Sequence, residues 1–216
     1  MSISGCRLVI LKSIIENCNR LSDSVIVRLT KSGLIVQSKN QIDNSLIQAT
    51  LYSDSMLDVD VNAILPCIVD YDELKFTFEL GQIHLNGVAL KTTIAQVYDI
   101  TNVEPVNTCS INTIELSHLF MCLALSAHSF TIVCKNGMMS MVTPTVTAKL
   151  KNVSVNFDCE FAFIVKVFRT VSFSTLNCIR NAEISISKLG LLKISCDLSN
   201  YFGKYSLLLS PIANKN

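Results

Sequence analysis

LTKSGLIVQS, residues 29–38, runs from an apolar stretch through Lys, a small polar residue and Gly into a second apolar stretch. Much later in the chain VCKNGMMSMV, residues 133–142, repeats this order. Each stretch predicts a β-hairpin, because Gly in such a position takes the positive φ that a tight turn needs. A turn signal alone is common, so the sequence around the two turns decides what the repetition means.

The sequence before the two turns also repeats. Residues 9–21 place apolar side chains on one face of a predicted helix, and residues 114–127 predict a second helix of the same kind. The separations are 22 residues from Leu11 to Gly33 and 21 residues from Leu116 to Gly137. The order helix, strand, turn, strand, loop, strand therefore occurs twice, which predicts a duplicated unit.

The second part of each unit matches as well. A short helix is predicted at residues 61–69 in the first copy and at 161–171 in the second, and more strands follow each. Each copy is then an α+β domain of roughly 100 residues with two helices packed on antiparallel sheet. The predicted domains are residues 1–98 and 110–216, joined by a polar connecting loop over 99–109.

The composition narrows the class of protein. The chain has 216 residues and is 50% hydrophobic but only 16% charged, which indicates a large core or a subunit that hides part of its exterior in an assembly. Nine cysteines, an odd number with no C-x-x-C pair, predict reduced thiols in an intracellular protein. No apolar run is long enough for a membrane span, and we expect neither a signal peptide nor membrane association.

Patterns that indicate catalysis are weak. The chain has no nucleophile elbow, zinc-protease motif or phosphate-binding loop. His118 and Cys122 lie four residues apart on a predicted helix, but two ligands do not make a zinc site, and their apolar surroundings favour core packing. The sequence therefore predicts no enzyme, no catalytic or metal site and no cofactor.

The repeated unit resembles a known family. Residues 11–51 resemble the opening of the eukaryotic sliding clamp, proliferating cell nuclear antigen, with GLIVQS and SLIQATL carrying the pattern. Residues 109–120 resemble the start of its second domain, and residues 209–212, LSPI, stand where that family has an LAPK-like tail. The likeness covers nearly the whole chain in order and spacing with sparse identity. A checkpoint-clamp subunit and a viral clamp-like protein fit nearly as well.

The resemblance implies an assembly and a role. Three subunits, identical in the replicative case, would form a ring whose helices line a hole around duplex DNA. Residues 91–100 and 145–152 would be edge strands that lack a partner inside their own domain and pair with the next subunit. Such a clamp is a processivity factor for DNA polymerase in replication and repair, is opened by a separate clamp loader, and acts in the nucleus or at a viral replication site.

The resemblance also implies which residues touch DNA. Sliding needs contacts with phosphates that do not depend on sequence, and Lys and Arg on the inner helices supply them. The matched basic positions are Lys12, Arg20, Lys166 and Arg169. His118 and Met121 replace positions that are usually basic in the family, so we expect a less basic inner face. The alternative for Lys12 and Arg20 is an ordinary solvated helix face.

Partner proteins of this family insert a short helical plug, the PIP box, into an apolar cleft. The residues that match this cleft are Val103, Pro105, Val106, Leu191, Leu208, Leu209 and Pro211. Lys39 and Asp43 replace a Met-like and a His-like residue of the family's pocket, and Ile212 replaces a common Lys. We expect an altered set of partners. The alternative for each single residue is ordinary core and C-terminal packing.

Overall fold

Antiparallel β-strands make up most of the computed structural model, which describes residues 1–53, 59, 61–66, 71–95, 97–98, 107–171 and 178–212. The strands of the first half are β1 (Ser2–Ser4), β2 (Ile26–Thr30), β3 (Gly33–Lys39), β4 (Leu46–Tyr52), β5 (Asn62–Ile64), β6 (Glu73–Glu79), β7 (Gln82–Leu85), β8 (Val88–Ala89) and β9 (Thr92–Thr93). Those of the second half are β10 (Asn107–Asn112), β11 (Ser129–Lys135), β12 (Met138–Val142), β13 (Thr147–Lys149), β14 (Val153–Ser154), β15 (Cys159–Ile164), β16 (Cys178–Ile186), β17 (Leu192–Leu198) and β18 (Gly203–Leu209). The α-helices are α1 (Gly5–Leu21), α2 (Thr113–Ser126) and α3 (Lys166–Thr170), and a single turn of 3-10 helix, Ser199–Tyr201, precedes β18.

The two halves use the same strand order. In the first half the orders are β1-β6-β7-β8 and β4-β3-β2-β5-β9, and in the second half they are β14-β10-β16-β17-β18 and β13-β12-β11-β15, so the halves match except for the end strands β9 and β14. Antiparallel pairing of β18 with β4 joins one run of each half into a sheet that crosses from one domain to the other. The predicted fold class, α+β with two tandem domains rich in antiparallel sheet, is confirmed.

The first helix and the hairpins lie where the sequence predicts them, with α1 beginning at Gly5 rather than at residue 9. The helix predicted at 61–69 is wrong over its first part, because β5 pairs there with β2 and β9, and residues 67–69 lie outside the described residues. Ala63 and Leu65 are buried while their neighbours are not. That alternation is the period of a strand.

The helix predicted at 161–171 is wrong in the same way at its start. β15 takes residues up to Ile164, where Phe163 is buried between exposed or half-buried neighbours. The helix itself is only the short α3. The described residues thus include one α-helix in the first domain, where two are predicted, and a long and a short α-helix in the second.

The predicted connecting loop, 99–109, extends too far at its C-terminal end. Residues 107–109 belong to β10 and pair with β16, and residues 99–106 lie outside the described part. Asn107 is buried, and its amide anchors a neighbouring segment: Nδ2 donates to the carbonyl oxygen of Phe157 at 3.0 Å, and Oδ1 accepts from the backbone N–H of Asn156 at 2.7 Å. The second domain therefore begins no later than Asn107.

The two repeated turns need glycine for different reasons. Asn136 and Gly137 form the second turn with φ of 52° and 74°, as in a type I′ hairpin. Gly33 has a φ of 135° and is already the first residue of β3. A Cβ at Gly33 would lie 1.9 Å from the carbonyl oxygen of Leu51, so this glycine permits the close approach of β4.

The three helices form one layer. α1 packs on β3 and β4, α2 packs on β10 and β16, and α3 contacts both α1 and α2. Phe168 of α3 stacks on Phe120 of α2, with ring centroids 3.8 Å apart and an interplanar angle of 7°. Ser38 of β3 donates to the carbonyl oxygen of Cys18 in α1 at 3.1 Å. One face of the large sheet is therefore covered by helices, and none of the described helices covers the opposite face, called here the outer face.

The described cysteines are free thiols, and several belong to the core. Burial raises the pKa of Cys109 to about 11, and burial, followed by the neighbouring Cys159, raises the pKa of Cys134 to about 12. A thiol with so high a pKa carries little thiolate near neutral pH and is a poor nucleophile. These cysteines act as small apolar side chains of the core.

Candidate functional site

Two of the residues predicted to touch DNA lie on the side of α1 that faces away from the sheet. Lys12 is half-buried, and its Nζ donates to the carbonyl oxygen of Tyr71 at 2.8 Å. Arg20 is exposed and forms an ion pair with Glu16, one helical turn earlier. Part of the positive charge of α1 is therefore balanced within the chain, and an exposed pair of this kind is easily separated by a competing phosphate.

The other two residues belong to α3. Lys166 is exposed at the first position of this helix, while the side chain of Arg169 lies outside the described part of the structure. The stacked rings of Phe168 and Phe120 hold α3 against α2, and α3 also touches α1. The fold thus brings Lys12, Arg20 and Lys166 to one helical layer.

The exposed face of α2 is apolar rather than basic. Ile114, Met121 and Leu125 are 65%, 57% and 84% exposed, and His118 and Cys122 lie on the same face. Their spacing of three or four residues is that of one helical stripe. α2 contains no Lys or Arg. The missing charge at His118 and Met121 agrees with the sequence, whereas the core packing expected for His118 and Cys122 is wrong, because both side chains are exposed.

The segment that leads into the connecting loop is held on the outer face. Gln37 of β3 donates from Nε2 to Oε1 of Gln48 and to the carbonyl oxygen of Tyr98, both at 2.7 Å, and accepts from the backbone N–H of Tyr98 at 2.8 Å. Lys39 approaches the hydroxyl of Tyr98 at 3.2 Å and lies 4.4 Å from its ring centroid, a cation–π arrangement. The outer face is therefore where the loop starts.

A small apolar cluster, called here the outer cluster, lies on this face. It consists of Leu46 and Leu208, which pair across β4 and β18, with Leu191 packed against them. Leu191 and Leu208 are predicted partner-binding residues, and the structure brings them together. Leu46 was missed, because only the pairing of β4 with β18 places it beside Leu208.

The remaining predicted cleft residues do not join this cluster in the described structure. Leu209 is buried in the main core, on the face toward the helices, since successive residues of a strand point to opposite sides. Pro211 is half-buried beyond the end of β18, and the next residue, Ile212, donates its N–H to the carbonyl oxygen of Ala162 at 2.8 Å. Val103, Pro105 and Val106 lie outside the described residues.

The two predicted edge strands are shorter than expected. Within 91–100, β9 pairs with β5, and within 145–152, β13 pairs with β12. The expectation that each lacks a partner inside its own domain is wrong, because each is paired along one side. In the part of the chain that the structure describes, both are the last strand of their sheet. Each therefore keeps a second side on which another strand could pair.

The described residues contain neither a candidate membrane-spanning helix nor a candidate metal site. No helix there is long and apolar enough to cross a membrane. No group of three or more His, Cys, Asp and Glu side chains there is placed to hold a metal ion. The sites that the described structure does offer are the helical layer, the outer face and the two sheet edges.

Comparison with known proteins identifies the fold. No protein-family model matches the chain, and a search of curated proteins finds no match. A crystal structure of the PCNA2-PCNA3 complex from Sulfolobus tokodaii is similar over 99% of this chain and 100% of that chain, with a TM-score of 0.68 and 14% sequence identity. At this identity the likeness shows the fold, and function has to be argued from the sites. The chain has the fold of a PCNA-type sliding clamp.

Proposed function

We propose that this chain is a subunit of a ring-forming DNA sliding clamp. The ring encircles duplex DNA and tethers a DNA polymerase and other replication or repair factors, and a separate clamp loader opens it. The observation that carries the proposal is the repetition of one strand order in both halves, with the three described α-helices in one layer and a fold similar to that of a PCNA complex. The proposed role needs no catalysis, and its proposed place is the nucleus or a viral replication site.

The internal β4–β18 pairing supplies a template for the contact between subunits. β4 pairs with the second strand of the first hairpin, and β13 pairs with the second strand of the second hairpin. β13 is therefore the counterpart of β4. β4 pairs with β18 along its second edge, whereas no described strand pairs with the corresponding edge of β13. In the first half the counterpart of β18 is the segment at β8, which pairs with β7 as β18 pairs with β17. Pairing of β13 with that segment of the next copy would repeat the internal pairing and generate a head-to-tail ring.

Lys149→Pro is expected to convert a trimer into monomers. The N–H of Leu150 donates to Met139 in β12, so by the alternation of an antiparallel pair the N–H of Lys149 points to the open side of β13. Proline removes this donor, whereas the control Lys149→Ala keeps it. Native mass spectrometry at micromolar concentration should show three copies for the wild-type chain and for Lys149→Ala. A wild-type chain that is only monomeric contradicts the homotrimer.

The simultaneous change of Lys12, Arg20, Lys166 and Arg169 to Ala is expected to weaken retention on nicked circular DNA. For every phosphate that the variant no longer neutralises, the slope of log affinity against log salt should fall by about 0.9. The matched control removes the same charge from Lys31, Lys91, Lys135 and Lys188, which are exposed in turns and at an edge. Retention is measured over a salt titration. Equal retention by the two variants would show that the helical layer is not the DNA surface.

A second candidate is a subunit of a mixed ring, such as a checkpoint clamp, or a viral clamp-fold scaffold in transcription or replication. The apolar exposed face of α2 and the pairing of Arg20 with Glu16 favour it, because both reduce the positive charge that this chain alone offers to DNA. The similar crystal structure is itself a complex of two PCNA chains with different names. A wild-type chain that is monomeric alone and trimeric with a second clamp protein would select this candidate.

A further inference from the structure

The outer face contains a cavity whose charged lining is entirely positive in the described structure. The cavity has a volume of about 460 Å³ and is lined by Arg28 of β2, Lys193 of β17 and Lys204 of β18. The hydroxyl groups of Thr50 and Ser206 also line the cavity, while the Thr30 hydroxyl already donates to the carbonyl oxygen of Gly33 at 2.9 Å. No Asp or Glu is found among the described lining residues. Lysine, arginine and hydroxyl donors converging on one open cavity suit a ligand that carries carboxylates.

The cavity is continuous with the outer cluster along two paired strands. β18 pairs with β4 so that Leu208 faces Leu46, Ser206 faces Gln48, and Lys204 faces Thr50. These residues alternate along each strand and share the outer face, with about 6.7 Å between successive ones. The step from the leucine pair to Lys204 is therefore about 13 Å, the length of about four extended residues.

The net charge around the cavity stays positive when the charged residues of neighbouring strands are included. Asp197 of β17 faces Lys204 across the pair but does not line the cavity. Lys39 lies on the other side, over the ring of Tyr98, and Tyr98 and Tyr52 form the partly exposed aromatic rim. Among the described residues, four cations thus surround a site with one carboxylate beside it, an arrangement that attracts anionic segments and repels basic ones.

We propose that the outer face binds an extended, acidic peptide segment of a partner protein. An apolar side chain of the segment packs on Leu46, Leu191 and Leu208, beside which Lys193 pairs with Leu208. Carboxylates about four residues away lie at Lys204 and Arg28, which share one row across the sheet. This inference deepens the proposed tethering of partners and rests on it for the premise that the outer face stays open in the assembly. It assigns the chemistry of the partner: an apolar anchor followed by Asp or Glu.

The test compares three fluorescent peptides by anisotropy at low salt. Each carries a leucine pair and a short serine spacer, followed by a pair of Glu, Gln or Lys residues. The Glu peptide should bind about tenfold more tightly than the Gln peptide, and the Lys peptide should bind least, because charge-assisted hydrogen bonds are stronger than neutral ones. Equal affinity of the Glu and Gln peptides overturns the inference.

Variants assign any preference to the cavity. Lys204→Gln, at an exposed position, should reduce the advantage of the Glu peptide severalfold and leave the Gln peptide unchanged. Lys188→Gln, an exposed lysine outside the cavity lining, should change neither. Leu191→Ala should weaken the Glu and Gln peptides alike, since it removes the shared apolar contact. If the double variant Lys204→Gln/Arg28→Gln still binds the Glu peptide more tightly than the Gln peptide, the carboxylates bind elsewhere and the inference is overturned.

The same samples separate this inference from the proposed clamp role. Oligomeric state and retention on circular DNA are measured in parallel with peptide binding. A chain that forms rings but shows no preference for the Glu peptide overturns the inference alone. A monomer that prefers the Glu peptide supports the inference and contradicts the homotrimer. A DNA oligonucleotide is tested as a competitor. If it displaces the Glu peptide and binds Lys204→Gln more weakly than the wild-type chain, the cavity binds nucleic acid and the peptide inference is overturned.

Discussion

Gly203→Ala is expected to lower the free energy of unfolding by about 3 kcal/mol. A Cβ at this position would lie 1.9 Å from the carbonyl oxygen of Thr50 and 2.9 Å from its carbonyl carbon. Both atoms belong to the backbone of β4, so no side-chain rotation relieves the overlap. The added methyl group would force β18 away from β4 and weaken the pairing that joins the two domains. Urea unfolding followed by circular dichroism measures the loss.

The matched control is Gly137→Ala. A Cβ at Gly137 meets no atom within 4 Å, and its φ of 74° is the only obstacle, so this change should cost about 1 kcal/mol. The difference between the two variants isolates the close approach of β18 to β4. Equal losses in the two variants would contradict this account of Gly203.

Phe168→Ala is expected to lower the free energy of unfolding by about 3 kcal/mol as well. The Phe168 ring stacks on Phe120 at 3.8 Å and lies 5.3 Å from the ring of Phe130, so its removal leaves a cavity between α2, α3 and β11. Because α3 is only five residues long, it has little stability of its own. We therefore expect α3 to lose its fixed position and Lys166 to contribute less to DNA retention.

Phe168→Leu is the control for this second prediction. It keeps most of the buried volume but removes the ring stacking, so the loss should stay below about 1.5 kcal/mol, and DNA retention should remain near that of the wild-type chain. Chemical unfolding and DNA retention are measured on both variants. If Phe168→Ala retained the stability of Phe168→Leu, the aromatic cluster would not be what holds α3.

Local patterns predicted the strands best. LIQATLY coincides with β4 and MMSMV with β12, because alternation and a turn residue fix a strand without information from elsewhere in the chain. The helix prediction for residues 61–66 is wrong because a short apolar run has no periodicity that separates strand from helix. Pairing with β2 and β9 decides that segment, and both partners are distant in sequence.

The candidate site was predictable only in part. The resemblance placed Leu191 and Leu208 together, but three successive leucines, 207–209, have no polar residue that marks which of them faces outward. The pairing of β18 with β4 and β17 settles it and also adds Leu46. In α2 the spacing predicts one apolar face that includes Leu116, Phe120 and Leu123, and these residues are buried. The opposite side of the helix has few polar residues, so its exposure is not evident from residue type.

The lengths of the paired strands determine where a ring of this chain would open. β18 and β4 pair over nearly their whole length, with registered partners from Gly203 to Leu208, whereas the outer strands β8 and β13 have two and three residues in the described structure. A loader that pulls on such a ring would break the short pairing between subunits well before the long pairing within one. The two domains of a subunit would move together, and the opening through which DNA enters the ring would lie at a boundary between subunits.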